Sequence, residues 1–243
     1  MAQFDHIPAR YVQAASNLRV LWRHASTGGY ISQGLDCLQY KSQYNDNPVC
    51  SVYPRDYYNR DNWLDALWNP ACDNSPCKPD QFYDVLVNQG GIANTDVAMM
   101  KYCYDDAIML YDPPQGYNEF PHYQSTMDTL EAAYPQKDFV WWTAPTMVDW
   151  TGLEGSCTDL NHYNITVRNY VNAHSKVLFD VADIESYSES GSLCYQPGEC
   201  PHMCSEYGSS GGGHPNQVGS VHIGKAFWVM MARLAGWDGH STQ

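Results

Sequence analysis

Short apolar runs alternate along this chain with longer stretches in which apolar residues return every three or four positions. The runs predict strands over residues 19–22, 96–104, 138–143 and 176–181, typified by Asp138-Phe139-Val140-Trp141-Trp142-Thr143. The intervening periodicity predicts helices over 31–38, 81–88, 123–134, 161–175 and 217–235. In the last of these, Val221, Phe227, Trp228, Met231 and Leu234 fall largely on one side. Strands alternating with helices imply a parallel sheet covered on both faces. Residues 39–82 carry no clear period and are rich in Asn, Asp, Pro, Tyr and Trp, which predicts an elaborated loop region of the kind that usually serves function. A second loop, 185–213, is rich in Ser, Gly, Cys and Pro. A chain of 243 residues can bury one substantial core, and a single domain over 1–243, with its core at about 17–238, accounts for the pattern.

In such sheets the active site lies beyond the carboxyl ends of the strands. Ser26, Asp105, Asp106, Thr143 and the acidic residues after Phe179 all fall at that edge. Ser26 stands out, because it sits between the first strand and a helix start, where a backbone amide is ready to stabilise an oxyanion. It is a candidate nucleophile; serine is also favoured as a helix N-cap, which is its plain structural role. A serine hydrolase needs a base within hydrogen-bond reach, and His214 follows the glycine-rich stretch Gly208-Ser209-Ser210-Gly211-Gly212-Gly213 just before the last helix.

His24-Ala25-Ser26-Thr27-Gly28 with Ile31 and Gly34, Met100-Lys101-Tyr102-Cys103-Tyr104, and Gly212-Gly213-His214-Pro215-Asn216 with Gly219 together resemble blocks of the SGNH (GDSL-like) hydrolase superfamily, in particular a bacterial branch with a His-x-Ser-x-Gly first block. The resemblance implies a three-layer α/β/α sandwich around a central parallel sheet, SGNH/flavodoxin-like, with long disulfide-stapled loops. It also implies a serine nucleophile, oxyanion donors from middle loops and a histidine base that an aspartate three residues earlier orients. This chain departs from the pattern in each block. His24-Ala25 replaces the Gly-Asp before the serine, Gly211 stands where the aspartate is expected, and Cys103-Tyr104-Asp105-Asp106 lacks the usual asparagine. The orienting acid is therefore expected from Asp183 or Glu185, at the end of the 176–181 strand. The Ser26 amide with Gly90 or Gly91 is expected to hold the oxyanion, and Asp105 and Asp106 to line the site. His24 is either a substrate contact or a hydrogen-bonded structural residue.

Composition narrows the substrate. With 13 Lys and Arg against 27 Asp and Glu, the net charge of −14 argues against a nucleic-acid partner, and no apolar run is long enough for a membrane span. Nine cysteines, several in turn-rich segments such as Cys72 to Cys77 and Cys194 to Cys204, point to disulfides and an oxidising, extracellular compartment. Their connectivity cannot be deduced, but Cys103, in an apolar strand, is the choice for the odd thiol. The start Met1-Ala2-Gln3 has no signal-peptide features, so a secretory leader is expected to have been removed from this sequence. Asn164-Ile165-Thr166 is a glycosylation sequon for a eukaryotic source. The aromatic loop residues Tyr57, Tyr58, Trp63 and Trp68 could be core or could form platforms for sugar rings. Together these features lead to the expectation of a secreted ester hydrolase that removes O-acyl groups from a polysaccharide without a cofactor. Two alternatives are a non-catalytic carbohydrate-binding protein on the same fold and a metal-dependent enzyme using His24 and His214.

Overall fold

The computed structural model describes residues 3–44, 47–69, 72, 77–106, 110–112, 117–209 and 212–240. Five parallel strands form its central sheet: β1 (Val20–His24), β2 (Trp63–Leu67), β3 (Val97–Met100), β6 (Asp138–Trp142) and β7 (Val177–Phe179), in the order β2-β1-β3-β6-β7. The strands β4 (Tyr111–Asp112) and β5 (Tyr117–Asn118) pair separately as a small antiparallel ribbon. The helices are α1 (Ala9–Asn17), α2 (Thr27–Gln39), α3 (Cys77–Tyr83), α4 (Phe120–Ala133), α5 (Glu154–His174), α6 (Val181–Ser186) and α7 (Gln217–Leu234).

Period-two side-chain alternation sorts the sheet's residues to its two faces. Val20, Trp22, Val97, Met99, Val140 and Trp142 pack on one side with Val12 of α1, Ile31 and Leu35 of α2, and Phe227 and Met231 of α7. Leu21, Ala98, Met100, Phe139 and Trp141 pack on the other with Phe82 of α3, Met127 of α4 and Val167 of α5. The three-layer α/β/α architecture is thus present, and the central strands read as apolar runs because both their faces are buried.

The structure adds a strand inside the region expected to be loop. β2 pairs with β1 from Trp63↔Val20 to Leu67↔His24, yet Leu64 and Leu67 are 60% and 63% exposed. An edge strand with leucines facing outward gives neither alternation nor a buried run. Helix α1, before the first strand, was also outside the expected elements. At the sequon, Asn164 is buried: its Oδ1 accepts from the Ala144 amide at 2.7 Å and its Nδ2 donates to the Ala144 carbonyl at 3.0 Å. A folded chain offers no glycosylation site there.

Four disulfides staple the loops. Cys37–Cys50 and Cys72–Cys77 hold the segment between α2 and α3, while Cys157–Cys200 and Cys194–Cys204 tie the long loop after α6 to α5 and to itself. Cys103 is the free, buried thiol among the described residues.

α2 and α7, at opposite ends of the chain, touch closely. A Cβ on Gly34 would fall 2.0 Å from the Ser220 carbonyl oxygen, and one on Gly224 would fall 3.3 Å from the Gly34 backbone. The same two helices carry the site at their amino ends.

Candidate active site

β1 brings the chain to the carboxyl edge of the sheet and Ser26 turns it into α2. Its φ of 50° and ψ of −111° lie where glycine is at ease and an L residue is strained. Ser26 holds the N-cap position, but its side chain makes no capping bond. Instead Oγ lies 2.5 Å from Nε2 of His214; with the imidazole proton on Nδ1, the hydroxyl donates to Nε2.

His214 is held by its loop and by two rings. The Ser209 amide donates to the His214 carbonyl at 2.8 Å, and Asn216 clamps the loop base by donating from Nδ2 to the Gly208 carbonyl at 2.9 Å while its Oδ1 caps α7 at the Gly219 amide. Tyr30 stacks on the imidazole, with centroids 4.8 Å apart and planes 28° off parallel, and Tyr104 meets it edge-on at 5.5 Å. The Tyr104 hydroxyl is 3.5 Å from Nε2. Burial lowers the His214 pKa, opposed by the charge of Asp105, so the ring is neutral near pH 7 and can take a proton.

Beneath the serine lies a set of buried polar groups. Cys103 Sγ is 3.5 Å from the Thr27 hydroxyl. Burial pushes this thiol up, but Lys101 and hydrogen bonds from Ser26 and Thr27 outweigh it and leave it below its usual range. Lys101 is fully buried, donates to the Tyr102 carbonyl at 3.2 Å and has a lowered pKa through desolvation. Glu185 is also fully buried, and one of its carboxyl oxygens accepts from the Thr146 amide at 2.9 Å while the other has no partner. Desolvation raises its pKa to about 8.

Among the described residues, no carboxylate pairs with His214. Asp183 lies in the first turn of α6, exposed, with Asp180 and Arg168 as its charged neighbours. α6 begins immediately after β7 and turns that side chain away from the site. Glu185 comes from the same helix but points inward, to Thr146. Asp105 is the acid whose charge His214 feels, without a direct hydrogen bond. Gly211, where the superfamily pattern places an aspartate, lies outside the described residues.

The other expected residues are placed as follows. Gly90 and Gly91 lie at the opposite edge of the sheet from Ser26. They precede β3, and Ala93 of the same turn accepts from Arg19, which precedes β1; they cannot serve the oxyanion. Asp106 is buried and accepts from Lys78 at 2.6 and 2.8 Å and from the Cys103 amide at 2.7 Å. Those bonds occupy it as a structural anchor of the turn after β3 rather than a substrate contact. His24 is buried against Trp22 at 4.2 Å, under the first turn of α2. A Cβ at Gly28 would fall 2.5 Å from its ring, which explains the glycine two residues after the serine. His24 is therefore not open to substrate. Among the described residues no group of three His, Cys, Asp or Glu side chains is placed to hold a metal ion.

Trp63 and Trp68 are 6% and 4% exposed. Trp63 packs on Trp228 and Phe227 and donates its indole N–H to the Ala15 carbonyl at 3.2 Å. Trp68 lies in the other core layer beneath Arg23. Neither is a sugar platform, because both indoles are buried in the core; hydropathy alone does not tell which way a tryptophan in an aperiodic segment points. Tyr30 and Tyr104 were not singled out as site residues. The Gly212-Gly213 pair before His214 was the available signal that something bulky crowds that turn.

A five-stranded parallel sheet in the order β2-β1-β3-β6-β7 between two helical layers matches the fold of GDSL-like (SGNH) hydrolases. Similar solved structures include a GDSL-like lipase from Bacteroides thetaiotaomicron (12% identical, TM-score 0.53, covering 93% of this chain and 98% of that one). A catalytic mutant of an acetylxylan esterase from Geobacillus stearothermophilus is also similar (12% identical, TM-score 0.50, with the same coverage). No protein-family model and no curated protein matches the sequence.

Proposed function

We propose that this protein is a secreted serine ester hydrolase of the His-x-Ser-x-Gly branch, removing small O-acyl groups from a polysaccharide. The observation that carries the reading is the 2.5 Å contact between the Ser26 hydroxyl and the His214 imidazole, made by a serine held in a conformation that costs about 1–3 kcal/mol. Ser26 Oγ attacks the ester carbonyl carbon while Nε2 of His214 takes its proton. The carbonyl π pair moves onto oxygen, beside the Ser26 amide at the start of α2, where helix N–H groups lack intrahelical partners. Collapse expels the alcohol, which takes the proton back from His214, and water repeats the sequence on the acyl-serine. The stacked ring of Tyr30 orients the imidazole, and the charge of Asp105 favours its protonated form. Four disulfides support an oxidising compartment, and no helix among the described residues is long and apolar enough to cross a membrane. The polysaccharide substrate is supported by the acetylxylan esterase neighbour and by the net charge of −14, which disfavours anionic substrates.

The test is hydrolysis of p-nitrophenyl acetate and of acetylated xylan by wild type, Ser26→Ala and His214→Ala, with and without chelator. Loss of kcat by about 10³-fold or more in both variants, with no effect of chelator, is the expected result. A folded wild type that binds glycan without turnover would make it a carbohydrate-binding protein, and chelator-sensitive turnover that survives Ser26→Ala would make it a metal enzyme.

A further inference from the structure

We propose that the Tyr104 hydroxyl is the side-chain donor to the developing oxyanion, and that position 213 is glycine so that this phenol can reach the site. The proposal rests on the serine-esterase reading and assigns a catalytic contact that the rest of the site leaves open.

Three side-chain groups converge at the carboxyl edge of the sheet. Ser26 Oγ is 2.5 Å from Nε2 of His214, and the Tyr104 hydroxyl is 3.5 Å from the same nitrogen and interacts with the Ser26 hydroxyl. In the tetrahedral intermediate the former carbonyl oxygen and Oγ are bonded to one carbon. A donor beside Oγ can therefore turn to the oxyanion when the ester carbonyl enters on the Tyr104 side. The glycines once expected to help lie at the other edge of the sheet, and Asp105 and Asp106 offer carboxylates. Tyr104 is the neutral donor that remains in the turn after β3. Burial and the charges of Asp105 and Cys103 push its pKa up to about 12, against the Ser26 contact, so it keeps its proton through the catalytic pH range. Its role is to donate a hydrogen bond and retain that proton, so the proton balance between Ser26 and His214 is unchanged.

The turn that carries His214 is shaped around this phenol. A Cβ at Gly213 would fall 2.4 Å from the Tyr104 hydroxyl oxygen and 2.6 Å from Cζ. The glycine has no positive φ to explain it. The ring cannot retreat freely, because its edge rests on the imidazole and the turn is anchored where Asp106 binds Lys78 and the Cys103 amide.

The experiment compares wild type, Tyr104→Phe, Gly213→Ala and the double variant on p-nitrophenyl acetate, with Ser26→Ala as the blank and a fluorophosphonate to titrate reactive serine. Tyr104→Phe is expected to lower kcat by about 10²–10³-fold, the usual cost of one oxyanion donor, with KM within a few-fold and the acid limb of the pH profile unmoved. Gly213→Ala is expected to fall in the same direction, and the double variant to be little worse than Tyr104→Phe alone, since both remove one interaction. An active wild type with Tyr104→Phe within threefold in kcat overturns the assignment and leaves the serine esterase standing. Should Tyr104→Phe not fold, Gly213→Ala with unchanged kcat does the same. A wild type with no turnover and no fluorophosphonate label on Ser26 overturns the esterase reading and this assignment with it.

Discussion

The imidazole of His214 lies face to face with Tyr30, 4.8 Å between centroids, while among the described residues no carboxylate hydrogen-bonds to its edge. The ring restricts the imidazole sterically, and its negative face favours the imidazolium that forms during attack. Tyr30→Phe should therefore retain kcat within about threefold, whereas Tyr30→Ala should lower it about tenfold or more by freeing the base, a loss on the scale of a 1.4 kcal/mol rise in the barrier. Steady-state kinetics on p-nitrophenyl acetate separate the two, and equal effects from both would show that the stacking does not matter.

The backbone of Ser26 makes a second expectation. Ser26→Gly should raise stability by about 1 kcal/mol, because relief of the positive-φ strain outweighs the greater entropy glycine loses on folding. Ser26→Ala keeps the strain and should not stabilise. Both should be inactive. Thermal unfolding of the three proteins measures the difference, and a Ser26→Gly variant no more stable than Ser26→Ala would count against strain at this turn.

The pH profile follows from His214. In the proposed mechanism its neutral form is the base, and burial lowers its pKa, so kcat/KM should rise with pH along an acid limb centred below 6.5, the ordinary histidine value. Asp105 favours the protonated ring, so Asp105→Asn removes that support, lowers the histidine pKa further and moves the limb to lower pH. A shift to higher pH would contradict the assigned neighbour.

Glu185 links pH to stability. Its folded pKa of about 8 stands above the unfolded value near 4.3. Between the two the unfolded chain binds fewer protons than the native one, and stability falls as pH rises. The contribution is complete below the unfolded pKa and is lost as pH climbs through the folded one. Glu185→Gln keeps the acceptor for the Thr146 amide without the ionisation. It should flatten the dependence of Tm between about pH 5 and 8 and leave the variant more stable than wild type at pH 8. A parallel pair of Tm curves would refute the buried acid.

The central strands were legible because each is apolar on both faces, and the meeting of Ser26 with His214 was legible because a serine at a strand-to-helix turn and a histidine between a glycine run and the last helix are positional signals. The edge strand Trp63–Leu67 was not, since its two leucines face outward. The orienting acid was misplaced for a different reason. Asp183 and Glu185 do follow the last strand, but α6 starts within two residues of Phe179 and its rotation sends one carboxyl outward and buries the other at Thr146. Charge and spacing place a residue near an edge, and the first turn of a helix decides which way it faces. Trp63 and Trp68 show the same limit, for an aromatic in an aperiodic segment is equally compatible with a platform and a core.

The glycines at the α2–α7 crossing set a distance that chemistry reads. Ser26 precedes one of these helices and His214 the other, and with Gly34 pressed on Ser220 the spacing between the two backbones is fixed with nothing interposed. An added methyl at position 34 is a wedge at the pivot of a pair of shears: it opens the blades at Ser26 and His214 without touching either. The gap between the Ser26 hydroxyl and the His214 imidazole is in this sense a gauge of helix packing about two turns away, and a chain whose first and last thirds had not come together would carry both residues and no contact between them.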